Sequence, residues 1–184
     1  SCIFVNDICS KPVLHRLKEL GIEVVAMRCA GFNNVDIETA EQLGICVTRV
    51  PAYSPYAVAE HAVGLILALN RRIHLAHSRV REGNFSLEGL MGFDLHDTPV
   101  VIIGTGKNGE VVARILQGFG CKLYAFDPTI NPECEKLGVQ YTELDTIYKK
   151  CRIISLHCPL MPRTHHMIND EAVEQMQDGV MLIN

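Results

Sequence analysis

Val100-Val-Ile-Ile-Gly104-Thr-Gly106-Lys-Asn-Gly109, followed by the helical pattern of Val111, Val112, Ile115 and Leu116, sets the framework for the whole chain. An apolar run of strand length meets three glycines at G-x-G-x-x-G spacing, and a helix is expected over Asn108–Gly118. A second strand, Lys122–Phe126, ends in Asp127, 18 residues after the third glycine. The glycines permit a tight turn, close backbone approach to a pyrophosphate and tight helix–strand packing. The helix N-terminus adds free N–H donors and a partial positive charge. Glycine-rich turns are common, and the same letters without strand, helix and acid would describe a turn with no ligand. With all three in register, Gly104, Gly106 and Gly109 read as a dinucleotide-binding turn. A carboxylate at Asp127 accepts hydrogen bonds from ribose hydroxyls and repels a 2′-phosphate. Pro128-Thr-Ile-Asn131 supplies no Arg or Lys to neutralise one. The cofactor expected is NAD rather than NADP.

Outward from this core toward the C-terminus, the pattern continues as a short helix at Pro132–Leu137, a strand at Val139–Tyr141 and a helix at Leu144–Lys149. A strand at Ile153–Leu156, a helix at Asp170–Met176 and a strand at Val180–Ile183 follow. Strands alternating with helices imply a parallel sheet, here a Rossmann-type doubly wound one. The His157-Cys158-Pro159 loop and His165-His166 carry residue types that bind zinc. No second cysteine or carboxylate sits at ligand spacing, and the loop follows a strand at the carboxyl edge where dinucleotides bind. A nucleotide-lining loop is the better reading, and no metal site is expected.

Toward the N-terminus the same rhythm occurs on a smaller scale. Strands are expected at Cys2–Val5, Ile22–Met27 and Ile45–Thr48, with helices opening at Ser10-Lys-Pro12 and running over Val35–Leu43. The rhythm breaks at Val50-Pro-Ala-Tyr-Ser-Pro55, a turn-rich hinge with Ser54 as N-cap and Pro55 at the first helical position. A long helix then runs to about Ile73, apolar around much of its girth. His61 reads as a packing residue within it. Residues 74–97, punctuated by Gly83, Gly89 and Gly92, read as an extended arm. Helix and arm together, residues 54–97, are expected to form a homodimer interface.

Composition excludes several classes. With 48% hydrophobic and 21% charged residues, the chain is of ordinary globular type and neither disordered nor collagenous. The longest apolar stretch, Ala62–Leu69, is too short to span a membrane, so no membrane partner is expected. A formal charge of −4 argues against nucleic acid as a partner. The eight cysteines show no Cys-x-x-Cys pair, and apolar neighbours such as those of Cys2 and Cys46 suit small buried hydrophobes. Reduced thiols in a reducing, cytoplasmic compartment are expected. The first and last strands lie flush with the ends of the sequence, which reads as a piece of a longer protein.

Arg28-Cys-Ala-Gly-Phe-Asn-Asn-Val-Asp36, Val50-Pro-Ala-Tyr-Ser-Pro55, Val58-Ala-Glu-His61, Leu69-Asn-Arg-Arg-Ile73 and Asn84-Phe-Ser-Leu-Glu-Gly89 share one resemblance. So do the glycine motif and Ile154-Ser-Leu-His-Cys-Pro159. Together they resemble the D-isomer-specific 2-hydroxyacid dehydrogenases, in particular the D-lactate dehydrogenase branch, over essentially the whole chain. The resemblance implies that residues 1–53 are part of a smaller, flavodoxin-like parallel α/β substrate domain. Residues 54–184 would be an NAD-binding domain whose C-terminal part is missing. It places Lys107 and Asn108 at the pyrophosphate, Asp127 on the adenosine ribose, and Cys158, Pro159 and Thr164 along the rest of the nucleotide. It gives the backbone of Ala30 and Gly31 the substrate carboxylate and brings Tyr53 to the substrate from the hinge. Asn108 stands where the family more often has isoleucine, and Asp97-Thr-Pro99 where Gly-Lys-Thr is usual. The family's arginine, glutamate and histidine of catalysis would lie past Asn184, so the chain itself is expected to hold no catalytic residue.

Two functions from different classes follow. One is an NAD-dependent dehydrogenase acting on a small 2-oxo or 2-hydroxy acid such as pyruvate. The other is a non-catalytic NAD(H)-binding redox sensor or corepressor, which the same superfamily also contains. Fold analogy does not separate them.

Overall fold

The structure, a computed structural model, describes residues 1–184 and divides into two compact units, Ser1–Ser54 and Pro55–Asn184. The first unit runs β1 (Cys2–Ile3), α1 (Lys11–Glu19), β2 (Val24–Met27), α2 (Ile37–Gln42) and β3 (Cys46–Thr48). Its three strands are parallel in the order β1-β2-β3, with Cys2 opposite Ala26 and Val25 opposite Val47. Leu14 of α1, Ala40 of α2 and Val25 and Met27 of β2 close one apolar core with Cys9, Val35 and Ile45. The β1 strand stops short of the expected Val5 because the Phe4 N–H turns to the Asp7 carboxylate at 2.6 Å. Asp36 caps α2 by accepting from the Thr39 N–H at 2.9 Å, a bond that also holds its carboxyl below the usual range.

The second unit opens with α3 (Pro55–Arg71) and α4 (Ile73–Arg81). It continues β4 (Pro99–Ile103), α5 (Lys107–Gly118), β5 (Lys122–Phe126), α6 (Pro132–Lys136), β6 (Gln140–Tyr141), α7 (Leu144–Lys150), β7 (Ile153–Leu156), α8 (Asp170–Gln175) and β8 (Met181–Ile183). All five strands are parallel, in the order β6-β5-β4-β7-β8. This is the doubly wound order, in which strand order reverses beside the first strand. The sheet is covered on both faces. Val100 and Ile102 pack with Ala59, Ala62 and Ile66 of α3 and Val112 and Leu116 of α5. Val101 and Ile103 pack with Ile147 and Tyr148 of α7 and Ala172 of α8. The four β4 residues Val100–Ile103 are buried, each worth about 1.5–3 kcal/mol of transfer free energy.

The expected arm over residues 74–97 is corrected by the structure. The long helix breaks at Arg72, whose φ of +49° is left-handed, and a second helix, α4, runs to Arg81. Residues 82–98 lack regular secondary structure but are tied down by side chains. Arg79 Nη1 donates to the carbonyls of Ser86 (3.2 Å) and Glu88 (2.6 Å). The buried Asn70 side chain donates to the Phe93 carbonyl at 2.8 Å and accepts from the Phe93 N–H at 2.9 Å. Gly92 lies so close that a Cβ there would strike the Asn70 carbonyl.

Three smaller expectations also change. Ser54 takes a left-handed φ of +41° rather than the extended backbone usual for an N-cap. His61 is exposed, not packed. Cys2 and Cys46 are exposed too, and the buried thiols are Cys9, Cys134 and Cys151. All eight cysteines are free. No helix is long and apolar enough to cross a membrane.

Candidate dinucleotide site

The site forms where β4 and β7 part company at their carboxyl ends. The His157 N–H donates to the Ile103 carbonyl at 2.7 Å, extending the pairing one step beyond β7. Gly104 then turns away with φ +96°. A Cβ at Gly104 would lie 2.6 Å from the Cys158 nitrogen and 2.7 Å from the His157 carbonyl carbon, so only glycine fits. A Cβ at Gly109 would strike the Gly104 carbonyl, which explains the third glycine as a helix–strand contact. Gly106 is different: a Cβ there meets nothing within 4 Å. It is the N-cap of α5 and has no side chain to bond the first turn. The helix's leading N–H groups, including those of Lys107 and Asn108, are therefore available to an anion.

A cavity of about 440 Å³ opens over this turn. Six residues singled out in the sequence share its wall: Gly104, Gly106, Asp127, Cys158, Pro159 and Thr164. Lys107 and Asn108 open α5 beside it, and Gly109 is buried in the first turn; these three are not among the lining residues. The Asp127 carboxylate accepts from the Thr105 N–H at 2.7 Å and from the Thr129 N–H at 2.9 Å. Each oxygen keeps a lone pair for a ribose hydroxyl. Thr164 shapes the opposite loop: its Oγ1 accepts from the Met161 N–H at 2.8 Å and donates to the Pro159 carbonyl at 2.6 Å.

Leu144, Met161, Arg163 and Met167 also line the cavity and went unnoticed in the sequence. They come from the start of α7 and from the loop after β7, where no periodicity or motif marks them. Arg163 is the one Lys or Arg on the wall. His157 lines it too, with a ring nitrogen 2.7 Å from the buried Ser155 Oγ. Burial lowers its pKa to about 4, so the ring is neutral at physiological pH. Burial also raises the Cys158 thiol, which stays protonated against the Met167 sulfur. No group of three or more His, Cys, Asp or Glu side chains is arranged to hold a metal ion.

In the first unit, Ala30 and Gly31 follow β2. The Ala30 carbonyl accepts from Arg49 Nη1 at 2.8 Å, and the Gly31 carbonyl lies 3.3 Å from the Cys29 sulfur. The space around Gly31 is open. Tyr53 is 72% exposed.

A parallel doubly wound sheet with a three-glycine turn, a helix start without a side-chain cap, a carboxylate at the end of the second strand and a mostly apolar cavity fits an adenine dinucleotide. Residues 63–184 match the family model described as D-isomer specific 2-hydroxyacid dehydrogenase, NAD binding domain, and the chain belongs to that family. Among its relatives, a 2-hydroxyacid dehydrogenase homolog of Haemophilus influenzae is 58% identical over 183 residues, covering 100% of this chain and 55% of that protein. The D-lactate dehydrogenase of Escherichia coli is 54% identical, covering 100% of this chain and 56% of that protein. The apo structure of the Escherichia coli enzyme superposes with a TM-score of 0.88 over 98% of this chain and 57% of that one. The D-lactate dehydrogenase of Aquifex aeolicus, solved in complex with NAD and lactic acid, is 36% identical. It superposes with a TM-score of 0.93 over 100% of this chain and 55% of that one. The chain thus spans about half the length of the relatives it matches.

Proposed function

We propose that a full-length protein carrying this chain is an NAD-dependent D-2-hydroxyacid dehydrogenase of the D-lactate type, interconverting a 2-oxo acid such as pyruvate with its D-2-hydroxy acid. The observation that carries this reading is the 54% identity to the Escherichia coli D-lactate dehydrogenase along the entire chain, the unit before the nucleotide fold included. A shared nucleotide fold alone would not extend there. When bound, NAD(H) supplies or accepts the hydride.

The chain's own residues bind and orient. We assign residues 54–184 to NAD binding and residues 1–53 to part of the substrate domain. Lys107 and Asn108 face the pyrophosphate from the start of α5, and Asp127 accepts from the adenosine ribose. Cys158, Pro159 and Thr164 border the remainder of the nucleotide. The backbone at Ala30 and Gly31 takes the substrate carboxylate, and Tyr53 reaches the substrate. Proton transfer and carbonyl polarisation need a titratable group and a cation within hydrogen-bond reach of the substrate oxygen. His157, neutral, bonded to Ser155 and set in the nucleotide cavity, suits neither role. Those roles fall to an arginine, a glutamate and a histidine outside residues 1–184.

We also assign residues 54–97 to a homodimer interface. Phe85, Leu87 and Met91 are 76%, 81% and 89% exposed, an apolar display that a partner copy would cover. Eight free thiols support a cytoplasmic location. The test is NADH titration followed by pyruvate reduction with the full-length protein. Saturable NADH binding with turnover sustains the proposal. NADH binding without turnover of any 2-oxo acid would move the assignment to a redox-sensing scaffold.

A further inference from the structure

Thr105, the middle residue between Gly104 and Gly106, is buried and has every polar group engaged. Its N–H donates to Asp127 Oδ2 at 2.7 Å, and its carbonyl accepts from Asn131 Nδ2 at 2.8 Å. Its Oγ1 accepts from the Tyr141 hydroxyl at 2.9 Å. The partners are themselves linked. The Tyr141 oxygen accepts the Asn131 backbone N–H at 2.9 Å, and Asn131 Nδ2 also lies 3.2 Å from Glu110 Oε2. Asn131 Oδ1 accepts from the Glu133 N–H at 2.9 Å. The ring joins the glycine turn, α5, the loop after β5 and β6. Tyr141 and Asn131 are not among the residues lining the cavity.

We infer that Tyr141 and Asn131 are positioning residues for NAD(H), acting through Thr105 to hold the Gly104–Gly109 turn in its binding shape before the cofactor arrives. The inference rests on the reading of this turn as the cofactor site. A turn flanked by glycines has the most backbone freedom to lose, so an unpinned one would be ordered at the expense of affinity. Three bonds to a single residue, on the peptide groups before and after it and on its side chain, remove that freedom in advance. They also orient Asp127, since the Thr105 N–H occupies one lone pair of its carboxylate. Burial raises the Tyr141 pKa, keeping a neutral phenol that can donate and accept at once.

The test uses the full-length protein and four forms: unaltered, Tyr141→Phe, Thr105→Val and the double variant, with Thr105→Ser as the conservative control. Tyr141→Phe and Thr105→Val each should raise the NADH dissociation constant and KM about 5–10-fold, the loss expected for one or two hydrogen bonds. The kcat and the KM for the 2-oxo acid should stay within about twofold. Thr105→Ser, which retains the hydroxyl, should bind like the unaltered protein. The double variant should be no worse than Tyr141→Phe alone, because the one bond that Thr105→Val breaks is already lost when the phenol is removed. NADH constants unchanged in both single variants, or additive losses in the double, would overturn the inference. If Tyr141→Phe fails to fold, the contrast between Thr105→Val and Thr105→Ser decides it alone. Failure of the unaltered protein to bind NADH would overturn the site reading and this inference with it.

Discussion

The turn at Gly104–Gly109 and the segment over residues 72–98 belong to the same unit and mix close backbone contacts with side-chain ties, but in different proportion. At two glycines of the turn backbone meets backbone, Gly104 pressing on Cys158 and Gly109 on the Gly104 carbonyl, with side chains added only at Thr105. Along residues 72–98, individual side chains reach carbonyls of the segment, Arg79 to Ser86 and Glu88 and, from α3, Asn70 to Phe93. The first arrangement demands particular residue types at fixed spacing, so it writes a motif. The second has one such close approach, at Gly92, and otherwise needs only a suitable donor nearby, so it writes no motif. The turn also faces inward onto a cavity, whereas the segment turns Phe85, Leu87 and Met91 outward.

This contrast can be broken experimentally in full-length protein. Gly106→Val should leave folding intact, since a side chain there has open space, but place branched carbons where a pyrophosphate approaches. We expect NADH affinity to fall about 100-fold, equivalent to about 2.7 kcal/mol, read by fluorescence titration. Undiminished affinity would remove the distinction between the two regions. Asn70→Ala should do the converse. It strips both polar groups of Phe93 of their partner and should lower unfolding free energy by about 2 kcal/mol in urea, with NADH affinity unchanged.

Leu87→Asp tests the outward face. A charge on an apolar contact should raise the dimer dissociation constant about 10-fold or more, seen by sedimentation, without altering the thermal midpoint of the monomer. A monomeric unaltered protein at micromolar concentration would end the interface proposal. The smallest effect is expected from pH. His157 has a folded pKa of about 4 against an ordinary 6.5, so between these values the unfolded chain binds more protons. Its contribution is present above pH 6.5 and lost as pH falls toward 4. The loss should be on the order of 1 kcal/mol between pH 7 and 5.5, and His157→Gln should flatten it. An unchanged slope in that variant would assign the acid sensitivity elsewhere.

The same contrast explains what the sequence could tell. Expected and observed bounds of β5 coincide, those of β4 and α5 differ by one residue, and the wall of the cavity gathers Asp127, Cys158, Pro159 and Thr164 from three separate stretches. Burial imposed periodicity there. The α4 helix was missed because it buries none of its residues in this structure, so nothing selects a clean apolar stripe. Cys2 and Cys46 misled for a related reason. Alternation along a strand sends neighbours of buried residues outward, and an apolar neighbourhood in sequence is not one in space. Met161, Arg163 and Met167 sit on an irregular loop whose path is set by Thr164, a single hydroxyl with no signature of its own. Tyr141 and Asn131 were invisible as partners of Thr105 because their contact spans 36 and 26 positions.

The uniformity of β4 has a consequence for how the chain finds its alignment. Val100-Val-Ile-Ile103 presents branched hydrocarbon to both faces, so sliding the strand by one position would exchange one apolar pair for another. Hydrophobic alternation, which locks half-buried strands, is silent here. The discriminating mark is instead the residue after the run. Placed opposite Cys158, Gly104 leaves room that neither Ile103 nor Thr105 could leave, and its own N–H reaches the Phe126 carbonyl at 2.9 Å. Gly104, the first residue of the candidate dinucleotide turn, is therefore also the notch by which the central strand is indexed, and a side chain at that one position would be felt first as misthreading of the sheet.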